Sequence, residues 1–159
     1  WDYTAPQPII VAQIPVNGAP RKVVMQAPKN GFFYVLDAKN GKLVWTFYTI
    51  PARGEPGNET WPQDNDAWKY GGAPIWQTPA IDPDLGLIYF STGNAAPDFN
   101  GASRKGDNLF SCSVVALDAD TGQRKWHYQF VHHGIWDMDI PCAPSVERSL
   151  ISLASGPGG

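Results

Sequence analysis

Residues 131–142 read VHHGIWDMDIPC, which places two histidines, His132 and His133, and two carboxylates, Asp137 and Asp139, in a span short enough for them to converge. A carboxylate held against a substrate hydroxyl can take its proton as a general base. The same four side chains gathered around a metal could instead activate water, which is hydrolase chemistry. The paired histidines could line the mouth of a substrate site, or one could serve the structure alone. A second Trp-Asp pair, carrying Asp2, opens the chain as WDYTAPQP and, like the first, is followed within a few residues by proline. Cys112 and Cys142 stand in unrelated contexts without CxxC spacing, so they indicate neither a zinc site nor a redox pair; they read as buried thiols, with a disulfide as the alternative.

The elements that must position these residues are short strands. Of 159 residues 43% are hydrophobic, enough for a real core, and 13% are aromatic, interspersed with 16 Gly and 15 Pro that favour tight turns over long helices. The net charge of −3 and the scattered Lys and Arg give no basic stripe, which argues against nucleic acid as a partner. No stretch reaches the roughly 18–20 apolar residues that cross a bilayer. An internal repeat organises the chain: YVLDAKNGKLVW (34–45) matches VALDADTGQRKW (115–126) in its apolar run, its Leu-Asp-Ala, its Gly four residues after the Asp and its closing Trp. Each copy reads as a hairpin turned at Asn40-Gly41 or Thr121-Gly122, with the Asp accepting N–H bonds of its own turn. Trp45 and Trp126, 81 residues apart, are expected to be buried between neighbouring blades as scaffold. That spacing is about twice the ~40-residue period of propeller blades, so one further blade, built on PAIDPDLGLIYFSTGN, is expected between them.

In six segments, WKYGGAPIW, LIYFSTGNAAPDF, RKGDNLF, ALDADTGQRKWHYQ, HHGIWDMD and RKVVMQAPKNGFFYVLD, the chain resembles the pyrroloquinoline quinone (PQQ) dependent alcohol and sugar dehydrogenases, over most of residues 1–146. The resemblance implies an all-β propeller, oxidation of alcohol or sugar hydroxyls with PQQ and calcium, and action in the periplasm. It implies Asp137 as catalytic base and calcium neighbour, with Asn94 of STGN as a calcium ligand 43 residues upstream. It further implies Trp76 of APIW as the floor beneath the quinone and Lys29 of QAPKNGF as the cation beside its oxygens. The chemistry suits these types: hard oxygen donors hold calcium, an aromatic face supports a flat ring system, and a cation stabilises charge developing on the quinone. Each also has an ordinary structural use, as turn cap, packing aromatic, turn Asn or solvated turn Lys.

Two departures from the family pattern shape the expected assembly. The Trp-Asp motif comes twice, with Asp2 in the form of the alcohol-oxidising branch, and the segments resembling 39–139 follow the 1–37 stretch where the family places them before it. The junction falls near VLDA/KNGKLVW. At ~40 residues per blade, residues 1–147 make about four four-stranded antiparallel blades, with 148–159 a flexible tail; a homo-oligomer, most simply a dimer, would complete the family's ring. The alternatives are a metal-assisted hydrolase on a truncated propeller and a self-associating fragment without catalysis.

Overall fold

The computed structural model describes residues 3–146. They form two four-stranded antiparallel sheets in chain order. The first holds β1 (Ile10–Val16), β2 (Ala19–Gln26), β3 (Phe32–Asp37) and β4 (Leu43–Tyr48). The second holds β5 (Ala80–Asp82), β6 (Leu87–Ser91), β7 (Ser113–Asp118) and β8 (Arg124–Gln129). The partial-propeller fold is therefore as expected, but the described residues build two blades and not about four.

The blade count fails for a physical reason. PAIDPDLGLIYFST supplies β5 and β6, the first half of the second blade and not a blade of its own. The remaining length goes into two irregular insertions, residues 49–79 and 92–112, whose backbone is held by turns, two short 3-10 helices and buried side chains. Trp61, 1% exposed, anchors the first with Ile50, Ala67, Ala73 and Ala95 around it. The 81-residue repeat is one blade plus these insertions.

The repeated hairpins are equivalent. Trp45 stands opposite Val35 and Trp126 opposite Ala116, and each ladder slips by one residue immediately afterwards. The turns match in their backbone bonds: Gly41 N–H donates to Asp37 O and Gly122 N–H to Asp118 O, both at 2.8 Å. Asp37 Oδ1 accepts from Lys39 N–H at 2.8 Å, and Asp118 Oδ1 from Asp120 and Thr121 N–H at 3.0 Å. Gly41 and Gly122 sit at φ 70° and 71°, where a side chain would be strained.

The core lies between the blades. Val23, Met25, Phe33 and Val35 of the first sheet meet Ile88, Phe90, Val115 and Leu117 of the second, all completely buried. Trp45 crosses the seam: its Nε1–H donates to Ala119 O at 3.2 Å, and its ring lies so close to Gly122 that a Cβ there would come within 2.6 Å. Asp120 adds a clasp, accepting from Asn17 and Gly18 N–H at 2.5 and 3.0 Å in the β1–β2 turn. Trp126 does not share this burial. It is 44% exposed, against 9% for Trp45, because among the described residues no blade follows the second to cover it.

Candidate functional site

The second insertion and the segment after β8 fold back on each other beside β6. Residues 72–75 run antiparallel to 93–95, through Ala73 N–H to Asn94 O at 2.7 Å and Gly93 N–H to Pro74 O at 2.9 Å. This sets the APIW segment, with half-buried Trp76, next to STGN. The N-terminal segment reaches the same place: Gln7 side-chain N–H donates to Ile75 O, and Lys29 N–H donates to Thr4 O at 3.1 Å. Buried Gln7 keeps its Oε1 without a hydrogen-bond partner among the described residues.

Asp139 joins the Trp-Asp segment to STGN. Its Oδ1 accepts the Asn94 backbone N–H at 2.8 Å, and a Cβ on Gly93 would stand 2.5 Å from the same oxygen, so this approach requires glycine. The Asn94 side-chain amide, in a residue only 7% exposed, donates to Asp98 Oδ1. Burial pushes the Asp139 carboxyl above the ordinary aspartate range; the Asn94 N–H pulls it down, and the nearby negative charges of Asp137 and Asp98 push it up again. The Lys29 ammonium opposes them with a further downward pull. Lys29, Asn94, Asp98, Asp137 and Asp139 thus belong to one electrostatic neighbourhood, in which Asp137 is exposed.

Arg104 braces this neighbourhood. Fully buried, it donates to Pro97 O at 2.9 and 3.2 Å, to Asn108 Oδ1 at 2.9 Å and to Gly134 O at 2.7 Å, tying the Asp98 loop to the loop that carries Asp137 and Asp139. A buried guanidinium is tolerated when each of its nitrogens has a partner of this kind.

The histidines are placed elsewhere. His133 Nδ1–H donates to Gly106 O at 2.8 Å, and His132 Nδ1 lies 3.6 Å from Asp107 Oδ2, so both are fastened to the 101–107 loop and do not join Asp137 and Asp139 in a metal-binding group. Among the described residues no three His, Cys, Asp or Glu side chains form such a group. The convergence that a hydrolase would need is therefore corrected by the structure. Asp2 lies outside the described residues, as do residues 147–159. Both cysteines are free thiols; Cys112 is buried as expected, whereas Cys142 is exposed.

Asp98 and Arg104 escaped the sequence reading as site residues, and Asp139 entered it only as a member of the hydrolase alternative. Asp139 was legible only as a second carboxylate of WDMD, Asp98 only as an acid four residues after Asn94, and Arg104 only as the first residue of RKGDNLF. Their spacing in sequence carries no sign that the loops close on each other.

The family model described as glucose/ethanol/alcohol dehydrogenase, beta-propeller domain (PQQ), matches residues 1–46 and 37–149. The chain is 38% identical over 146 residues to quinohemoprotein alcohol dehydrogenase ADH IIB of Pseudomonas putida, covering 77% of this chain and 21% of that protein. It is 30% identical over 147 residues to the quinoprotein glucose dehydrogenase of Escherichia coli strain K12, covering 92% of this chain and 18% of that protein. The crystal structure of quinohemoprotein alcohol dehydrogenase from Comamonas testosteroni matches with a TM-score of 0.62 at 29% identity, over 79% of this chain and 21% of that one. The chain spans about a fifth of the length of these relatives. No helix among the described residues is long and apolar enough to cross a membrane.

Proposed function

Because the chain belongs to the β-propeller family of the PQQ-dependent glucose, ethanol and alcohol dehydrogenases, we propose that it serves the oxidation of an alcohol or sugar hydroxyl with PQQ and calcium, in the periplasm. One observation carries this reading: the Asp139–Asn94 hydrogen bond at 2.8 Å, which joins the Trp-Asp segment to STGN. Three carboxylates, Asp98, Asp137 and Asp139, interact there, and the charges of the first two raise the proton affinity of the third. These side chains do not form a metal-binding group among the described residues, but their donor atoms are the hard oxygens that calcium takes.

Asn94, Asp137 and Asp139 would hold calcium. Trp76 would support the quinone from below, and Lys29 would stand beside its oxygens. When bound, the quinone accepts the electrons and calcium polarises the carbonyl that receives them. The chain's own part is to orient the substrate and move its proton. Exposed Asp137 can meet a hydroxyl from solvent and act as the base, whereas Asp139, turned inward to the Asn94 N–H, keeps the loop in place. Asp2 belongs to a second copy of the motif and is assigned no part in the reaction.

Dye reduction with PQQ and calcium over a panel of alcohols and sugars tests the proposal. Asp137→Asn should abolish it with the fold intact by circular dichroism, and Asp2→Asn should leave it within about twofold. Absence of quinone-dependent turnover in the unaltered chain would refute the dehydrogenase reading, and a dead Asp2→Asn variant would move the base to the other motif.

A further inference from the structure

A cavity of about 590 Å³ lies where β4 of blade one and the start of the first insertion meet the β7–β8 turn of blade two. That volume is within the ordinary range of small-molecule sites. Phe47, Pro51, Pro56 and Phe110 give the cavity apolar walls, and Gly122 and Arg124 close it from the second blade. Both blades line it, and every lining residue falls within the 37–149 match to the family model, so it belongs to a seam between blades and not to an edge strand. None of Lys29, Trp76, Asn94, Asp137 and Asp139 lines it.

Arg124 is the cation of this cavity, and its guanidinium is already held from two directions. It lies over the buried Phe110 ring, with Cζ 4.4 Å from the centroid. Its Nη1–H donates to His127 Nδ1 at 3.1 Å. Burial and the Arg124 charge both lower the His127 pKa, which keeps the imidazole neutral and able to accept. Arg124 lines the cavity and His127 does not, and among the described residues nothing is bonded to Arg124 Nε or Nη2. The nearby carboxylates serve the backbone instead: Glu55 Oε2 accepts Ala52 N–H at 2.8 Å, and Glu59 Oε2 accepts Gly57 N–H at 2.7 Å. The Glu59 charge reaches Arg124, yet among the described residues neither acid forms an ion pair with it.

We infer that this cavity binds a small organic carboxylate with an apolar body, such as an aryl acid, at a site separate from the one proposed for the reaction. The carboxylate takes the Nε and Nη2 edge of Arg124, whose parallel N–H bonds match two oxygens. The body of the ligand lies against Phe47, Pro51 and Pro56. One guanidinium with Glu55 and Glu59 close by favours a single negative charge over a phosphate dianion. An occupied cavity joins β4 to the β7–β8 turn beside Gly122, on which Trp45 is seated, so the ligand tightens the seam between the blades. The inference does not depend on PQQ or calcium.

Titration of the whole chain with benzoate at neutral pH, without PQQ or calcium, tests it by calorimetry and by backbone amide NMR. Benzoate should bind saturably, shift the amide signals of Tyr48, Gly122 and Gln123, and raise the melting temperature. Arg124→Gln should weaken binding by about tenfold or more, as loss of hydrogen bonds to a charged group does. Arg124→Lys keeps the charge but loses the fork and should weaken it as well; it carries the test if circular dichroism shows Arg124→Gln unfolded. Benzamide, the uncharged counterpart, should bind about tenfold more weakly or not at all. No saturable binding, variants or benzamide that bind as the parent chain binds benzoate, or shifts confined to the 134–139 loop would each overturn the inference. Tighter binding of phenylphosphonate than of benzoate would overturn the assignment to a carboxylate.

Discussion

Asp139 shows how one carboxyl can be costly to the fold and still useful. Burial and the negative charges of Asp137 and Asp98 raise its proton affinity in the folded state, so over the affected pH range the folded chain holds a proton that the unfolded chain has released. Stability at this group is therefore greatest below the ordinary aspartate pKa of about 3.9 and falls as pH rises through the raised value. Asp139→Asn keeps an acceptor for the Asn94 N–H and removes the penalty. The variant should melt above the parent chain at neutral pH, with the difference closing at acid pH, in thermal melts followed by circular dichroism. Cys112 makes a second residue-scale case: burial first, then the Asp139 charge, pushes its thiol up to about 11. At pH 8 iodoacetamide should label one thiol per folded chain, exposed Cys142, and two per chain in denaturant, counted by mass spectrometry.

At the scale of elements, equivalent tryptophans should carry unequal weight. Trp45 is buried at the seam with its indole N–H bonded to Ala119, so Trp45→Ala should cost about 3–5 kcal/mol, enough to unfold a marginal domain. Trp126 stands at the same register but half in solvent, and Trp126→Ala should lower the stability of dilute, unassociated chain by less than half as much in urea titrations. The hairpins were legible because their instructions are local: an Asp that caps its own turn, a Gly at positive φ and an alternating apolar run. The blade count was not, because a repeat period records total length and cannot tell a strand from an insertion. The 49–79 insertion is built around Trp61, whose Nε1–H donates to Leu109 O 48 residues away, a contact that nothing local announces.

For the whole molecule, a ligand that binds only the folded chain stabilises it by mass action, by about 2.7 kcal/mol at a hundredfold excess over its dissociation constant. Calcium with PQQ should accordingly raise the melting temperature of the parent chain, and Asp137→Asn and Asn94→Ala should reduce that rise if these residues hold the pair. The sequence by itself determined the strand-forming segments, the matched turns, the family and the candidates Lys29, Trp76, Asn94 and Asp137, since each rests on residue types within a few positions of one another. Only the tertiary structure decided that Asp139 carries the bond to Asn94, that Arg104 locks the two loops together, and that His132 and His133 belong to another loop. It also decided that, among the described residues, Trp45 is buried and Trp126 half exposed. These outcomes depend on which loops close on each other and which blade has a neighbour, and such contacts join residues tens of positions apart, where local propensity has no purchase.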